Sequence, residues 1–290
     1  RRRIRDCGGI RVIRLLAEHD REQVMGFLAP EGTVNLYIIG DIENNGFGQE
    51  FQQLWGDFEA TGRLRAVLLR YYGTFIPYAP GEFEPDGLAE VLIGHRDRIT
   101  IFAGLDRVIL PFETYPGLLP ENARKRTLSL LELRGGDRLA GSEGGGLGGQ
   151  AFRAGPDDVP GYLRLWEEVN GLERSDELER SHRREIEQGT GRVYLLRQGD
   201  RVVATVKTTA ETSSGAVVTG VTTHPAFRRK GLATSLLVLL CRELLGEGKR
   251  PCLIYDNPEA GGIYRRLGFT DAGTWVMYAV GLPPGEGYLP

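Results

Sequence analysis

The sequence predicts an α+β protein with a mixed central sheet flanked by helices, built as two domains of similar size. Three observations carry this prediction. The chain has 290 residues, which is enough for one large domain or two ordinary ones. A glycine-rich stretch divides it almost in half. Strand and helix patterns alternate on both sides, and those of the second half include strand–helix–strand crossovers.

Composition and charge exclude several classes of protein. Hydrophobic residues make up 41% of the chain and charged residues 26%, as in globular proteins. A net charge of -3 gives no general attraction to nucleic acid or anionic membranes. The longest apolar run, residues 236–241, is too short to span a bilayer. The three cysteines have no metal-site spacing and suggest a reducing compartment. We therefore expect a cytoplasmic protein without metal, nucleic-acid or membrane partners.

The first half carries the weaker patterns. Helical character is found in residues 20–28 and 87–94, and strand character in residues 35–41, 65–72, 99–102 and 127–133. These elements predict an N-terminal α+β domain over residues 1–134. It contains no recognisable chemical motif.

The domain boundary is predicted from glycine. Eight of the 15 residues from 135 to 149 are glycine, and a packed element does not tolerate that loss of backbone entropy. We therefore predict a flexible linker over residues 135–149 and a second domain over residues 150–290.

The elements of the second half follow from periodicity and turn residues. A turn at Gln198-Gly199-Asp200 joins two strands as a hairpin, and Gly268 ends a helix. The predicted strands are residues 151–153, 192–197, 201–209, 215–223, 252–255, 269–271 and 274–280. A helix capped by Asp157 or Asp158 is predicted to run through Tyr162, Leu165, Trp166 and Val169. The other predicted helices are 172–188, 231–245 and 258–267, of which 231–245 is apolar almost all round and therefore buried.

One segment points to an anion site. A strand stops at Pro225, and the basic turn Arg228-Arg229-Lys230 is followed by Gly231 at the start of the buried helix. Backbone N–H groups and the helix dipole favour a phosphate at such a place. A glycine lets the phosphate approach the backbone closely. The pattern matches neither a Walker A loop nor a dinucleotide-binding fingerprint.

Two blocks resemble motifs of a known family. Residues 228–233 fit the pattern [Q/R]-x-x-G-x-[G/A], and residues 257–269 fit N-x-x-A-x-x-x-Y-x-x-L-G-F. In order and separation the blocks resemble the GNAT superfamily of acyl-CoA-dependent N-acyltransferases, over roughly residues 150–280. The first half could be a degenerate second copy, as in the tandem acyltransferases of this superfamily that include thiol-cofactor synthases.

The resemblance implies a GNAT fold and an enzyme that moves an acyl group from acetyl-CoA, or another acyl-CoA, to an amine. It implies backbone contacts from Val221 and Thr223 to the pantetheine arm and the acyl carbonyl, and a pantetheine contact from Asn257. It places Tyr264 near the thioester sulfur, where a phenol can protonate the leaving thiolate. The pyrophosphate would lie on the basic turn and first helical turn: Arg228, Arg229, Lys230, Gly231, Leu232, Ala233 and Thr234.

Several alternatives remain open at this stage. Tyr264 could instead be a core tyrosine whose hydroxyl is bonded elsewhere. The general base is unassigned, because Val217 occupies the position where some family members carry a glutamate. Candidate bases are Glu173, Asp176 and Glu177, or a water chain, whereas His224 before Pro225 is interpreted as a turn residue.

The acceptor and the assembly are open as well. The acceptor is a small amine, an amino acid or a protein amine, and a homodimer is compatible with the sequence. The alternative function is a non-catalytic acyl-CoA-binding regulatory module. The missing carboxylate and a first half without a motif both favour that alternative.

Overall fold

The computed structural model describes residues 2–6, 9–139 and 151–281. These residues form two compact units. Among the described residues, those up to 129 and those from 273 to 281 form the first unit, and residues 130–139 and 151–272 form the second. Of the predicted linker, residues 140–149 lie outside the described residues, and Asp137–Leu139 form a short 3-10 turn.

The strands have the following bounds: β1 Arg2–Asp6, β2 Gly9–Leu15, β3 Gln52–Glu59, β4 Leu64–Tyr71, β5 Thr74–Tyr78, β6 Ile101–Leu105, β7 Arg124–Glu132, β8 Ala151–Arg153, β9 Val193–Gln198, β10 Arg201–Thr209, β11 Gly215–Thr223, β12 Arg250–Tyr255 and β13 Thr270–Ala279. The helices are α1 Arg21–Leu28, α2 Leu36–Asn45, α3 Asp86–Ile93, α4 Asp106–Ile109, α5 Val159–Asn170, α6 Asp176–Gln188, α7 Leu232–Gly246 and α8 Pro258–Arg266.

The sheet of the first unit has the strand order β1-β2-β3-β4-β5-β6-β13. Neighbouring strands are antiparallel except β5 and β6, which run parallel. In β13, Trp275–Ala279 pair with Leu105–Ile101 of β6. The core includes Phe75, Phe102 and Val276 together with Leu88 of α3.

The sheet of the second unit has the order β12-β11-β10-β9-β8, with residues 130–132 of β7 beside β12. Helix α7 packs on one face, where Leu236 shares a core with Val206 and Val218. Helix α5 packs on the other face, where Tyr162 shares a core with Leu195. A mixed sheet between helices confirms the predicted α+β fold.

The predicted elements of the second half all appear, with one change. The two strands predicted at 269–271 and 274–280 form a single strand, β13, which runs through Gly273 at φ 148°, a backbone conformation that glycine tolerates. In the first half the strand predicted at residues 35–41 is wrong, since this segment is helix α2. Its β-branched run suggested a strand, but Ile38, Ile39 and Ile42 are buried at helical spacing.

The second unit differs in extent from the predicted domain 150–290. Leu131, Leu133 and Leu139, which precede that range, are fully buried in its core. Residues 273–281 lie instead with the first unit. In the described part of the chain, no helix combines the length and the apolarity that a membrane span requires.

Candidate functional site

The candidate site begins at a gap between β11 and β12. These parallel strands pair only near their starts, from Gly215 with Arg250 to Val217 with Cys252. Both strands continue beyond the last pair, β11 to Thr223 and β12 to Tyr255. Their carboxyl-terminal parts do not pair with each other. The backbone groups that face the space between them are therefore available to hydrogen-bond a ligand.

A β-bulge accompanies the separation of these strands. Thr205 of β10 pairs with Thr222 of β11, but Lys207 pairs with Thr219. Two residues of β11 therefore lie opposite one residue of β10, which bends β11 locally. The first of the two is Gly220, at φ 59°, in the left-handed region that favours glycine.

Backbone orientation in β11 follows from one hydrogen bond. The His224 N–H donates to the Val203 C=O at 2.9 Å, so the backbone groups of His224 face β10. Because these groups alternate along a strand, those of Thr223 and Val221 face the other side, where the gap lies. The structure thus brings to the gap both residues predicted to contact pantetheine. The Thr223 C=O, however, already accepts a hydrogen bond from Arg228 Nε at 3.2 Å, which leaves its N–H for a ligand.

The turn between β11 and α7 has an unusual backbone. Arg229 lies at φ 61° and Gly231 at φ 75°, both left-handed. Within the described residues, none of the N–H groups of residues 229–234 has a hydrogen-bond acceptor. A Cβ built on Gly231 would meet nothing within 4 Å. The turn therefore presents open backbone donors at the N-terminus of a 15-residue helix.

The three basic side chains of the turn have different environments. Arg228 binds back to the end of β11 and so braces the turn. Lys230 Nζ lies 5.3 Å from the centroid of the Phe227 ring, a cation–π contact. Arg229 is exposed. Leu232, Ala233 and Thr234, the first helical turn, are half-buried. All three basic side chains still add positive charge near the open N–H groups.

Asn257 lies on the opposite side of the gap, between the end of β12 and the start of α8. Its Oδ1 accepts a hydrogen bond from the Glu259 N–H at 2.9 Å, so Asn257 caps α8. The cap uses Oδ1, and no described residue accepts a hydrogen bond from the side-chain NH₂ group. The predicted pantetheine contact of Asn257 is compatible with this cap.

Tyr264 of α8 is buried beside the strand that borders the gap. Its ring meets the Tyr255 ring edge-on at 5.3 Å and the Phe269 ring at 6.1 Å. Burial, with a smaller contribution from Tyr255, raises the pKa of Tyr264 to about 12. No described residue accepts or donates a hydrogen bond at its hydroxyl. Tyr264 is therefore a protonated phenol at neutral pH with its hydroxyl available.

Close packing at Tyr255 explains a glycine in the second motif block. A Cβ on Gly261 would lie 2.6 Å from the Tyr255 ring. Gly261 thus lets α8 approach β12 closely, and this approach sets the depth at which Tyr264 lies.

The structure assigns no general base. Val217 is buried on β11, so the position that carries a glutamate in some family members is apolar. Glu173, Asp176 and Glu177 are exposed at and before the start of α6. His224 Nδ1 accepts a hydrogen bond from the Ala226 N–H at 3.3 Å, so His224 caps the turn as its position before Pro225 predicted.

Sequence reasoning missed the residues that shape the gap, namely Gly220, Tyr255, Trp166 and Thr205. One signal was available for Gly220, because an isolated glycine inside a β-branched run indicates a bulge. The others act through contacts between distant segments, which no local pattern encodes.

Comparison with known proteins agrees with this architecture. The GNAT acetyltransferase family model matches residues 182–278, which include both motif blocks. No curated protein has a sequence that matches this chain. The family resemblance of the second half is thereby confirmed.

Solved structures extend the likeness over nearly the whole chain. A GCN5-related N-acetyltransferase from Sphaerobacter thermophilus has a TM-score of 0.61 at 16% identity, covering 95% of this chain and 98% of that one. A tandem GNAT protein from the clavulanic acid biosynthesis pathway has a TM-score of 0.59 at 16% identity, covering 93% and 98%. A GNAT-family acetyltransferase from Colwellia psychrerythraea has a TM-score of 0.55 at 14% identity, covering 92% and 99%. At these identities the likeness establishes the fold alone, an α+β GNAT fold.

Proposed function

We propose that this protein is an N-acetyltransferase, which moves an acetyl group from acetyl-CoA to an amine in its second unit. The observation that carries the proposal is the gap between β11 and β12 together with the turn that follows β11. The gap offers unpaired strand backbone to an extended chain. The turn offers open N–H groups, a bare glycine and three basic side chains to a pyrophosphate.

The parts of acyl-CoA match the parts of this site. The pyrophosphate is assigned to Arg228, Arg229 and Lys230 and the start of α7, where charge and helix dipole both favour an anion. The pantetheine arm carries amide groups and can pair with the backbone of Val221 and Thr223, as a strand would. Asn257 supplies a further amide donor from the other side.

The chemistry assigned to the site is direct transfer. A neutral amine attacks the thioester carbonyl, and the C–S bond breaks as the C–N bond forms. The departing thiolate takes the Tyr264 proton, and the ammonium formed on the acceptor loses a proton to solvent or to an unassigned base. The acceptor class remains a small amine, an amino acid or a protein amine.

A second candidate function is a regulatory module that binds acyl-CoA without turnover. The buried Val217 in place of a carboxylate favours it. Release of free CoA from acetyl-CoA, followed with a panel of amines, separates the two functions. Release that depends on an amine establishes the enzyme, whereas binding without release with any amine establishes the module.

The binding site itself is tested with a matched pair of glycine variants. Gly231 and Gly248 both lie at φ 75°, both have open space around a built Cβ, and they lie close to opposite ends of α7. Gly231→Glu introduces bulk and a negative charge at the assigned pyrophosphate site and should abolish acetyl-CoA binding in titration calorimetry. Gly248→Glu carries the same backbone strain and should bind like the wild type. Equal affinity of the two folded variants would place the pyrophosphate elsewhere.

A further inference from the structure

A chain of hydrogen bonds connects α5 to the bulge of β11. Trp166 Nε1–H donates to Thr205 Oγ1 at 2.9 Å, and Thr205 Oγ1–H donates to the Gly220 C=O at 2.8 Å. Trp166 and Thr205 are buried. The chain therefore crosses from a helix through β10 to the residue at which β11 bends.

This chain satisfies a carbonyl that the bulge displaces from regular pairing. A bulge removes backbone groups from the regular ladder, and a buried carbonyl without a partner is costly. The Thr205 hydroxyl supplies the donor for the Gly220 C=O, and Trp166 fixes that hydroxyl by donating to its oxygen. A valine at residue 205 would have the same shape but could do neither.

Trp166 also limits the bulge sterically. A Cβ on Gly220 would lie 2.6 Å from Trp166 Cζ2. The indole ring thus rests directly on the glycine, and the bulge cannot shift toward α5.

Neighbouring side chains hold the indole in place. The Tyr162 ring lies 5.3 Å from Trp166, and the His182 ring lies 5.5 Å away, edge-on. Tyr162 Oη and His182 Nδ1 are joined by a hydrogen bond of 2.9 Å. A second connection from α5 to β11 runs from Asn170 Nδ2 to Thr222 Oγ1 at 3.2 Å. Of these two α5 donors, Asn170 therefore contacts β11 directly, and Trp166 reaches it through Thr205 of β10.

We propose that Trp166, acting through Thr205, is a positioning residue for acyl transfer, because it holds the Gly220 bulge in the conformation that directs the Val221 N–H into the gap. Val221 directly follows Gly220, so the backbone conformation of Gly220 sets the direction of that N–H. This inference rests on the proposed function and adds to it the two side chains that hold in place the backbone donor assigned to the acyl carbonyl. A donor fixed before the reaction costs no reorganisation when charge develops on the carbonyl oxygen.

The test compares two cofactors that differ in one group. Acetyl-CoA carries the thioester carbonyl, and S-ethyl-CoA, a thioether, lacks it. If the Val221 N–H is directed at the carbonyl, the wild type binds acetyl-CoA about 3- to 10-fold more tightly, the effect of one hydrogen bond. Thr205→Val should bring that ratio close to one, while Thr205→Ser, which keeps the hydroxyl, should retain it. Trp166→Phe, which removes the indole donor, should also lower the ratio.

Turnover provides the second readout, measured at a temperature where every variant is folded. Thr205→Val should lower kcat roughly 10- to 100-fold, since a misplacement of about 1 Å has effects of this size. Thr209→Val is the control, because it removes a buried hydroxyl from the same strand away from the bulge. It should leave both the affinity ratio and kcat unchanged.

The outcomes separate this inference from the proposed function. A wild type that prefers acetyl-CoA but acetylates no amine contradicts the enzyme while supporting the role of the bulge. Thr205→Val with the wild-type affinity ratio overturns the positioning role, whatever its turnover. A wild type without any preference between the two cofactors also overturns it.

Discussion

The environment of Tyr264 suits it to one of the two proton transfers in the proposed reaction, the protonation of the leaving thiolate. Its ring is packed between Tyr255 and Phe269, and burial keeps its pKa near 12, so its hydroxyl carries a proton throughout the neutral range. Such a phenol is a proton donor to a leaving thiolate and is not a base for the incoming amine. The acid and the base of the proposed reaction must therefore be different groups.

We expect Tyr264→Phe to lower turnover by about 10²- to 10⁴-fold, the usual effect of losing a positioned acid. Acetyl-CoA affinity should stay close to the wild-type value, because phenylalanine preserves the ring contacts. Single-turnover kinetics and calorimetry measure the two quantities. Unchanged turnover, with chemistry shown to limit the rate, would remove Tyr264 from the mechanism.

Asp41 of α2 is the source of an expected pH dependence in the first unit. Burial raises the pKa of its carboxyl to about 7, so the folded state holds this proton more tightly than the unfolded chain does. The free energy of unfolding should therefore fall as pH rises from about 4 to about 7, by at most about 4 kcal/mol.

Chemical denaturation of Asp41→Asn at several pH values checks this expectation. The variant should lack the decrease, and Asp97→Asn, whose side chain is 94% exposed in the wild type, should keep it. An identical pH dependence in the wild type and Asp41→Asn would show that another group titrates.

Some residues of the site could be predicted from sequence patterns and others could not, depending on whether their partners are close along the chain. Arg228 to Ala233 could be predicted because a strand end, a basic turn and a helix start follow one another locally. Trp166 and Thr205 are 39 residues apart, and Thr205 and Gly220 are 15 apart, so their contacts follow from the folded sheet. The base was not predicted because Val217 removed the one position where a motif would have placed it.

At the scale of elements, the two ends of α7 have different charged surroundings. Its N-terminus opens onto the basic turn, and its C-terminal end is tied to the sheet by Arg192. This guanidinium binds Glu211 through two hydrogen bonds of 2.7 Å and Glu247 through bonds of 2.6 and 2.9 Å, and it also contacts Glu243. The Arg192 cluster, Arg192 with these three glutamates, anchors the helix that presents the turn.

Arg192→Met should destabilise the protein by about 3–5 kcal/mol, because it leaves the buried Glu211 carboxylate short of its main partner. Arg265→Met is the control, since the Arg265–Asp271 pair is exposed and solvent screening makes its contribution to stability small. Denaturant unfolding compares them. Similar small losses in both variants would mean that Lys249, 3.0 Å from Glu211, compensates for the missing arginine.

The first unit contains a strand–helix–strand segment that corresponds to β11, α7 and β12. The turn before its helix is acidic, whereas the turn before α7 is basic. Strand β5 leads through residues 79–85 into α3 and then into the parallel strand β6, in the same order as β11, α7 and β12. This connection carries Glu82 and Glu84, and α3 has only eight residues. A Cβ on Gly104 of β6 would lie 3.2 Å from the Pro77 C=O, so β5 and β6 stay close where β11 and β12 part.

We therefore expect one acetyl-CoA to bind each chain. An acidic turn repels a pyrophosphate, and strands that stay close leave no room for pantetheine. Titration calorimetry of the wild type should give a stoichiometry of one, and Gly231→Glu should show no residual binding at millimolar cofactor. A second, independent site that survives in Gly231→Glu would contradict this expectation.

At the scale of the whole molecule, the compact units do not follow the order of the chain. The second unit takes Leu131 and Leu133 from before the glycine-rich segment and Leu139 from within it, and the first unit takes residues 273–281. Glycine density predicted a division near the middle, and two units are present. Local sequence patterns could not predict this exchange of segments. The sequences of β7 and β13 indicate strands, but they do not indicate which unit each strand joins.

This exchange of segments determines which fragments of the chain should fold. A fragment of residues 146–290 lacks three fully buried leucines of the second core, each worth about 2–5 kcal/mol, a sum similar to the stability of a domain. We expect it not to fold, whereas residues 130–272 should unfold cooperatively and bind acetyl-CoA. Circular dichroism melts and calorimetry of both fragments test this. A folded, CoA-binding fragment 146–290 would contradict it.

The position of β13 also has a consequence for biosynthesis. Val276 and Tyr278 belong to the core of the first unit, yet a ribosome adds them only after the whole of the second unit. The 143 residues between Ser129 and Gly273 take roughly 7–30 s to translate at about 5–20 residues per second. During that time β6 has an unpaired edge, which is an opening for aggregation or for chaperones. The sheet of the first unit is therefore complete only after β13 has been synthesised.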